Sequence, residues 1–195
     1  IDCALAQTYE NLEILVVNDG SDDGGATESI ARSYGSRITY LHKDNGGVSS
    51  ALNFGIANMT GTYFSWLSHD DAYSPTKVSD SVALLRKLDA GDEKTIAYTC
   101  GSYIDDTGKE LRRFPTKLME NKVYSGVEMV RYCVNHKTLN GCCMLIPKSV
   151  LLACGGFDED LRYSQDALMW YRLFFYGCKL VYDGKDNVRY RLHSA

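Results

Sequence analysis

The sequence predicts an α/β fold: a mostly parallel sheet with helices on both faces, continued by an α+β extension on the same sheet. Three observations lead there. The apolar, β-branched run at residues 12–17, broken only by Glu13, lacks the alternation of a half-wet strand and suits a strand covered on both faces. Strand-like and helix-like runs alternate through the first half of the chain, the order that builds doubly wound units. Past residue 95 the order changes to hairpin, helix, short strand and helix, which extends a sheet rather than repeating the unit.

The elements follow in order. The strand at 12–17 is stopped by the turn Asn18-Asp19-Gly20-Ser21, then come a helix over 24–34, a strand over 38–41, a helix over 48–58 and a second buried strand over 62–67. Ser74 is a good N-cap and Pro75 a good first helical residue, so a helix should run from there to Leu88. Runs 95–104 and 110–114 flank Asp105-Asp106-Thr107-Gly108 and predict a hairpin. A helix over 125–133, a short strand over 142–146 and a helix over 147–154 come next, the last stopped by Gly155-Gly156. Residues 166–176 are apolar on nearly every side, which predicts a buried helix, and strands at 179–182 and 188–192 complete the chain.

A chain of 195 residues is one domain, and 45% hydrophobic with 24% charged residues excludes disorder and low complexity. Its most apolar stretch, 167–178, contains Arg172 and falls short of the roughly 18 to 20 residues that span a bilayer. A net charge of -4 with scattered basic residues gives no footprint for nucleic acid. Seven cysteines without a C-x-x-C pair read as reduced, buried small hydrophobes, which points to the cytoplasm. The chain lacks an initiator Met and reads as a fragment.

Ligands of such sheets bind beyond the carboxyl ends of the strands. Asp19 and the Ser68-His69-Asp70-Asp71 segment both sit there. Asp19 can accept hydrogen bonds from a nucleoside, and it equally suits a strand-ending turn. Two adjacent carboxylates suit a hard cation carrying phosphate oxygens, and they equally suit the start of the following helix. Asp166 opens the buried helix, where a rigidly held carboxylate suits general-base work and an ordinary N-cap alike.

Order and spacing together bring out a resemblance. The sequence resembles the family 2 glycosyltransferases, inverting enzymes with the GT-A fold, over nearly its whole length. Ala6-Gln7-Thr8-Tyr9 is similar to the end of the family's first helix, and residues 15–21 to its nucleobase-binding turn. Asn45-Gly46-Gly47-Val48-Ser49-Ser50-Ala51 with Asn53 is similar to its glycine-containing helix start, with Leu52 where an arginine often stands. Residues 61–71, with Pro75 and Lys77, resemble its acidic D-x-D region, with Ser68 at the first acidic position. Gly156-Phe157-Asp158-Glu159 and Gln165-Asp166 resemble the acceptor-side region, and Arg191-Leu192-His193 the late histidine.

The resemblance implies a donor-binding half over 1–105 and an acceptor-binding half over 106–195. It implies sugar transfer from a nucleotide sugar, UDP-linked, to a glycan, lipid-linked or protein acceptor. Asp166 would be the catalytic base; Asp19, Asn45, Gly47, Ser68, His69, Asp70 and Asp71 would bind the donor; and Asp70, Asp71 and His193 would hold Mn²⁺ or Mg²⁺. The same resemblance implies a strand upstream of Ile1, about 15 to 25 residues with its half helix. Without that strand the edge of 12–17 invites a homodimer. A lipid-linked acceptor would bring the protein to the inner face of the membrane. A non-catalytic module of the same fold and a nucleotidyltransferase are the alternatives; the absence of G-x-G-x-x-G argues against a dinucleotide-binding oxidoreductase.

Overall fold

The computed structural model describes residues 1–88, 93–136 and 139–193. A short helix, α1 (Asp2–Leu5), leads to β1 (Leu15–Asp19), α2 (Ala26–Ser33), β2 (Thr39–Lys43) and α3 (Gly47–Asn58). β1 and β2 form a two-stranded parallel sheet in which Asp19 stands opposite Lys43. α3 lies on β1, where a Cβ added to Gly55 would stand 3.4 Å from Val17 Cγ2. The strand starts later than its apolar run, and ahead of it Glu13 accepts from the Thr60 N–H at 2.8 Å and the Gly61 N–H at 3.3 Å, just past the end of α3. It also ends later, since its ladder continues through Asn18 and Asp19.

The second sheet has seven strands. Five lie in the order β3 (Tyr63–Phe64), β8 (Met144–Pro147), β5 (Thr95–Ile104), β9 (Lys179–Arg191) and β4 (Ala72–Tyr73). β6 (Glu110–Arg113) pairs with β5 as the expected hairpin, and β7 (Val123–Tyr124), which the sequence did not signal, pairs with β9. β5 and β9 run parallel in the longest ladder of this sheet, and its other pairings are antiparallel. The sheet therefore draws strands from both halves of the chain.

Helices cover both faces of β5, which is buried throughout except at the half-buried Tyr103. Side chains alternate along a strand. Ile96, Tyr98 and Cys100 meet Met129 of α5 (Gly126–His136) and Trp170 and Leu173 of α7 (Gln165–Phe175). Ala97 instead joins Val181, Leu145 and the Leu84 and Leu85 side chains of α4 (Lys77–Lys87). Each fully buried leucine or isoleucine contributes about 1.5 to 3 kcal/mol, so this double covering is the main stabilising layer. α6 (Lys148–Ala153) follows β8 directly.

Four expected elements differ. Of the run 62–67 only Tyr63 and Phe64 pair, against Ile146 and Pro147, so the approach to the acidic segment is not a strand. α4 begins at Lys77 with Thr76 as its N-cap: the Ser74 hydroxyl is committed to Asn187 of β9, and its carbonyl accepts from the Lys77 N–H at 3.1 Å. The two late strands are one, β9, whose bulge takes up the step from Tyr182 to Val188 against Tyr98 to Gly101 on β5, with Gly184 at φ +75°. α7 buries Met169, Trp170, Leu173 and Phe174 but leaves Phe175 76% exposed, so it is buried on one face.

Candidate active site

Asp19 closes β1, and its side chain caps the entrance to α3. One oxygen accepts from Lys43 Nζ at 2.8 Å and the Gly46 N–H at 3.0 Å, the other from the Gly47 N–H at 2.7 Å. Burial favours the neutral acid, but the Lys43 ammonium and the two N–H groups outweigh it and hold the carboxyl below its usual value. A carboxylate offers about four acceptor sites, so Asp19 keeps capacity for one more donor. Gly20 must be glycine here: at φ +70°, a Cβ would stand 2.7 Å from the Asn45 nitrogen. Asn45 is exposed, and Gly47, at φ +83°, borders open space.

The acidic segment lies at the far ends of β5 and β9. Its Asp70 and Asp71, adjacent in sequence, do different things. Asp70 Oδ2 meets His193 Nε2 at 2.9 Å, and its carbonyl accepts from Arg191 Nε at 3.1 Å. Burial acts to raise its pKa, yet the His193 bond prevails and lowers it, and the same bond raises the His193 pKa. Asp71 is 8% exposed and faces inward, accepting from the Arg191 N–H at 3.0 Å and the Cys142 thiol at 3.4 Å. Burial raises its pKa. Ser68 lies behind the turn, its carbonyl accepting from the Asp71 N–H at 3.2 Å, and His69 is exposed.

These residues suit a divalent cation in part. Asp70 and His193 supply a carboxylate oxygen and an imidazole nitrogen side by side, a donor set such an ion accepts. Asp71 faces inward, with one oxygen bonded to the Arg191 N–H and the other to the Cys142 thiol. Among the described residues no group of three His, Cys, Asp or Glu side chains is arranged to hold a metal. Phosphate and water oxygens would have to complete the coordination.

Asp166 sits in the first turn of α7, half-buried, with Oδ1 accepting from the Ala167 N–H at 2.7 Å. The loop ahead of it faces the start of α3 across a cleft of about 190 Å³ lined by Gly46, Gly47, Val48, Glu159, Arg162 and Gln165. Asp19 bonds to Gly46 and Gly47 on one wall of this cleft and Asp166 follows Gln165 on the other, so both stand behind its lining residues. A chain of edge-on rings joins this wall to the acidic segment: Trp66 to Phe157 at 6.4 Å and Phe157 to Trp170 of α7 at 6.0 Å. Gly141 lets the rings close, since a Cβ there would stand 2.6 Å from Trp66.

Sequence reasoning missed three participants. Lys43 could have been found, because parallel pairing of two strands with polar ends puts it opposite Asp19. Asp106, whose Oδ1 is 3.4 Å from His193 Nδ1, was hidden in a hairpin turn. Cys142 looked like one more buried thiol. The cysteines are thiols rather than disulfides, and five of the seven are buried.

The family model described as Glycosyl transferase family 2 matches residues 1–154, which includes Asp19 and the acidic segment and stops short of Asp166. A Rickettsia prowazekii protein named as an uncharacterized glycosyltransferase is 43% identical over 195 residues, covering 100% of this chain and 59% of that protein. Glycosyltransferase GlyA of Streptococcus pneumoniae is 42% identical over 206 residues, covering 100% of this chain and 28% of its own. The chain therefore spans only part of the curated relatives it matches. Among solved structures, S. aureus TarS in complex with UDP-GlcNAc superposes with a TM-score of 0.78 at 16% identity, over 100% of this chain and 54% of that one. TarS in complex with UDP gives 0.77 at 15% identity, over 98% and 55%. At such identity the likeness is one of fold.

Proposed function

The chain belongs to glycosyltransferase family 2, and we propose that it transfers a sugar from a UDP-linked donor to a hydroxyl of a glycan, lipid-linked or protein acceptor, with inversion in a single displacement. The observation that carries this reading is the meeting of Asp70 and His193, 123 residues apart, at 2.9 Å beyond the ends of β5 and β9. It supplies the oxygen and nitrogen ligands for a cation at the mouth of the sheet, where ligands of such folds bind. The UDP and UDP-GlcNAc complexes of TarS support the choice of donor.

In this reading residues 1–105 hold the donor and residues 106–195 receive the acceptor, His193 reaching back to the donor side. Asp19 accepts from the nucleobase with its spare lone pair, while Lys43 and the start of α3 keep it charged and oriented. Asn45 and the open side of Gly47 border the donor, as do Ser68 and His69. Asp70 and His193 would hold a Mn²⁺ or Mg²⁺ ion, whose chemistry when bound would be to offset charge on the departing UDP. Asp166 accepts the acceptor hydroxyl proton at its carboxylate as that oxygen bonds to the anomeric carbon and the bond to UDP breaks. The free thiols suit a reducing compartment, so we place the chain in the cytoplasm, at the membrane where the acceptor is lipid-linked.

Calorimetry of UDP binding with and without Mn²⁺, followed by a hydrolysis screen of nucleotide sugars, tests the reading. Metal-enhanced UDP binding with slow release of one sugar is expected. UDP binding with no hydrolysis of any sugar donor would favour a non-catalytic module, and no nucleotide binding would remove the donor site altogether.

A further inference from the structure

Lys77 is a lysine with no exposed surface, and it stands outside the chemistry proposed above. Lysines are almost never fully buried unless they are paired. Among the described residues no carboxylate is hydrogen-bonded to it, Asp183 acting on it through charge alone: its Nζ donates to Met144 O of β8 at 2.9 Å and to Ser65 Oγ, and it lies 4.7 Å from the centre of the Tyr73 ring. The three contacts use the donor directions of an ammonium. Burial pushes its pKa down to about 8, so it still carries a proton near neutrality.

The contacts converge on one stretch of chain. Residues 65–71 connect β3 to β4 and lie outside the strand ladders, so side-chain bonds must place them. Ser65 Oγ donates to Met144 O at 3.2 Å and meets Tyr73 Oη at 3.1 Å, and the Tyr73 hydroxyl donates to Trp66 O. Lys77 stands at the centre of this cluster, on the first turn of α4. Asp70 follows a few residues later on the same segment. We propose that Lys77 is a positioning residue for the donor site: by fixing Ser65 against Met144 O from inside the core, it sets where the acidic segment presents Asp70 to His193 and the cation. The proposal rests on the transferase reading above and adds to it a residue that touches neither substrate nor metal.

The test uses Lys77→Met, Ser65→Ala and the double variant. Removing an unpaired buried charge in favour of a residue of similar length is often neutral or stabilising, so Lys77→Met should keep its thermal midpoint. Amide exchange of residues 66–71 in the metal-free protein should quicken while β5 stays protected. Mn²⁺-dependent UDP affinity should fall roughly 10- to 100-fold, the usual cost of losing a supporting contact behind a metal ligand, with metal-free UDP affinity unchanged. The double variant should lose little beyond either single one, because both break the same link. A structural lysine would weaken both affinities alike and show additive losses. Unaltered Mn²⁺ dependence and exchange in Lys77→Met would overturn the proposal; if that variant does not fold, the same readings on Ser65→Ala decide it. Failure of the unsubstituted protein to bind UDP with Mn²⁺ would overturn the transferase reading instead, and this proposal with it.

Discussion

Asn53 of α3 grips both main-chain groups of Phe157: its Nδ2 donates to the Phe157 carbonyl at 2.8 Å, and its Oδ1 accepts from the Phe157 N–H at 2.8 Å. Nδ2 also reaches Glu159 Oε1 at 2.8 Å. Phe157 in turn meets Trp66 and Trp170 edge-on. One amide therefore ties α3 to the ring chain between the acidic segment and the helix of Asp166.

Asn53→Ala should cost on the order of 2 to 4 kcal/mol, since it strands a buried N–H and a buried C=O at once. Gly156→Ala should destabilise by the same route, because Gly156 holds φ +72° and its Cβ would stand 2.7 Å from Asn53 Oδ1. Urea unfolding reads both. A loss below half a kcal/mol in Asn53→Ala would show that the grip is not stabilising.

Lys77 makes stability depend on pH in a known direction. Its pKa falls from 10.5 in the open chain to about 8 in the fold, with burial as the leading cause. Between those values the unfolded chain holds the proton and the folded one has released it. Stability from this group therefore rises as pH climbs through the window and is level below it. The stability difference between wild type and Lys77→Met, followed by denaturant titration from pH 7 to 10.5, should shift toward wild type. A constant difference would mean that the ammonium is not desolvated in the fold.

The legible parts of the site are those where chain direction alone implies chemistry. Asp19 follows the apolar run that becomes β1, and polar residues after a strand of an α/β sheet fall in its ligand crevice; Asp70 also follows an apolar run, although only Tyr63 and Phe64 of that run pair as strand. The partner of Asp70 was legible as well, through the resemblance around His193, although 123 residues separate the two. What escaped depends on tertiary placement. Nothing in Ser68-His69-Asp70-Asp71 says that Asp71 turns inward to Arg191 and Cys142, because adjacent residues on a turn diverge by backbone angles that the side chains do not report. Residues 183–187 carry the composition of a turn, yet they form a bulge within β9 in which only Asp186 pairs with β5, at Cys100. Lys77 stands out in the sequence through the resemblance around the acidic segment, but its complete burial does not, because it arises only when the sheet closes over α4.

Asp70 and Asp71 should separate under substitution. Asp70→Ala removes an oxygen ligand and should abolish the Mn²⁺ enhancement of UDP binding, with little change in stability. Asp71→Ala strands the Arg191 N–H and the Cys142 thiol, so it should cost about 1 to 3 kcal/mol in unfolding free energy and leave part of the metal effect in place. Calorimetry and urea unfolding of both variants separate the roles. Equal loss of metal dependence in a fully stable Asp71→Ala would return Asp71 to the ligand set.

Asp166 carries the sharpest claim about chemistry. Its carboxylate is held at the start of α7, whose Trp170 and Leu173 are locked in the core, so Asp166→Asn keeps shape and position while removing basicity. Neither Asp19 nor Asp70 touches it, and donor affinity should stay within a few-fold of wild type by calorimetry. Transfer should fall by about 10² to 10⁴, the usual worth of a positioned general base. Near-wild-type turnover in Asp166→Asn would move the base elsewhere. Glu159 would then be the next carboxylate to replace, since it stands on the same cleft wall and is already held by Asn53 at 2.8 Å.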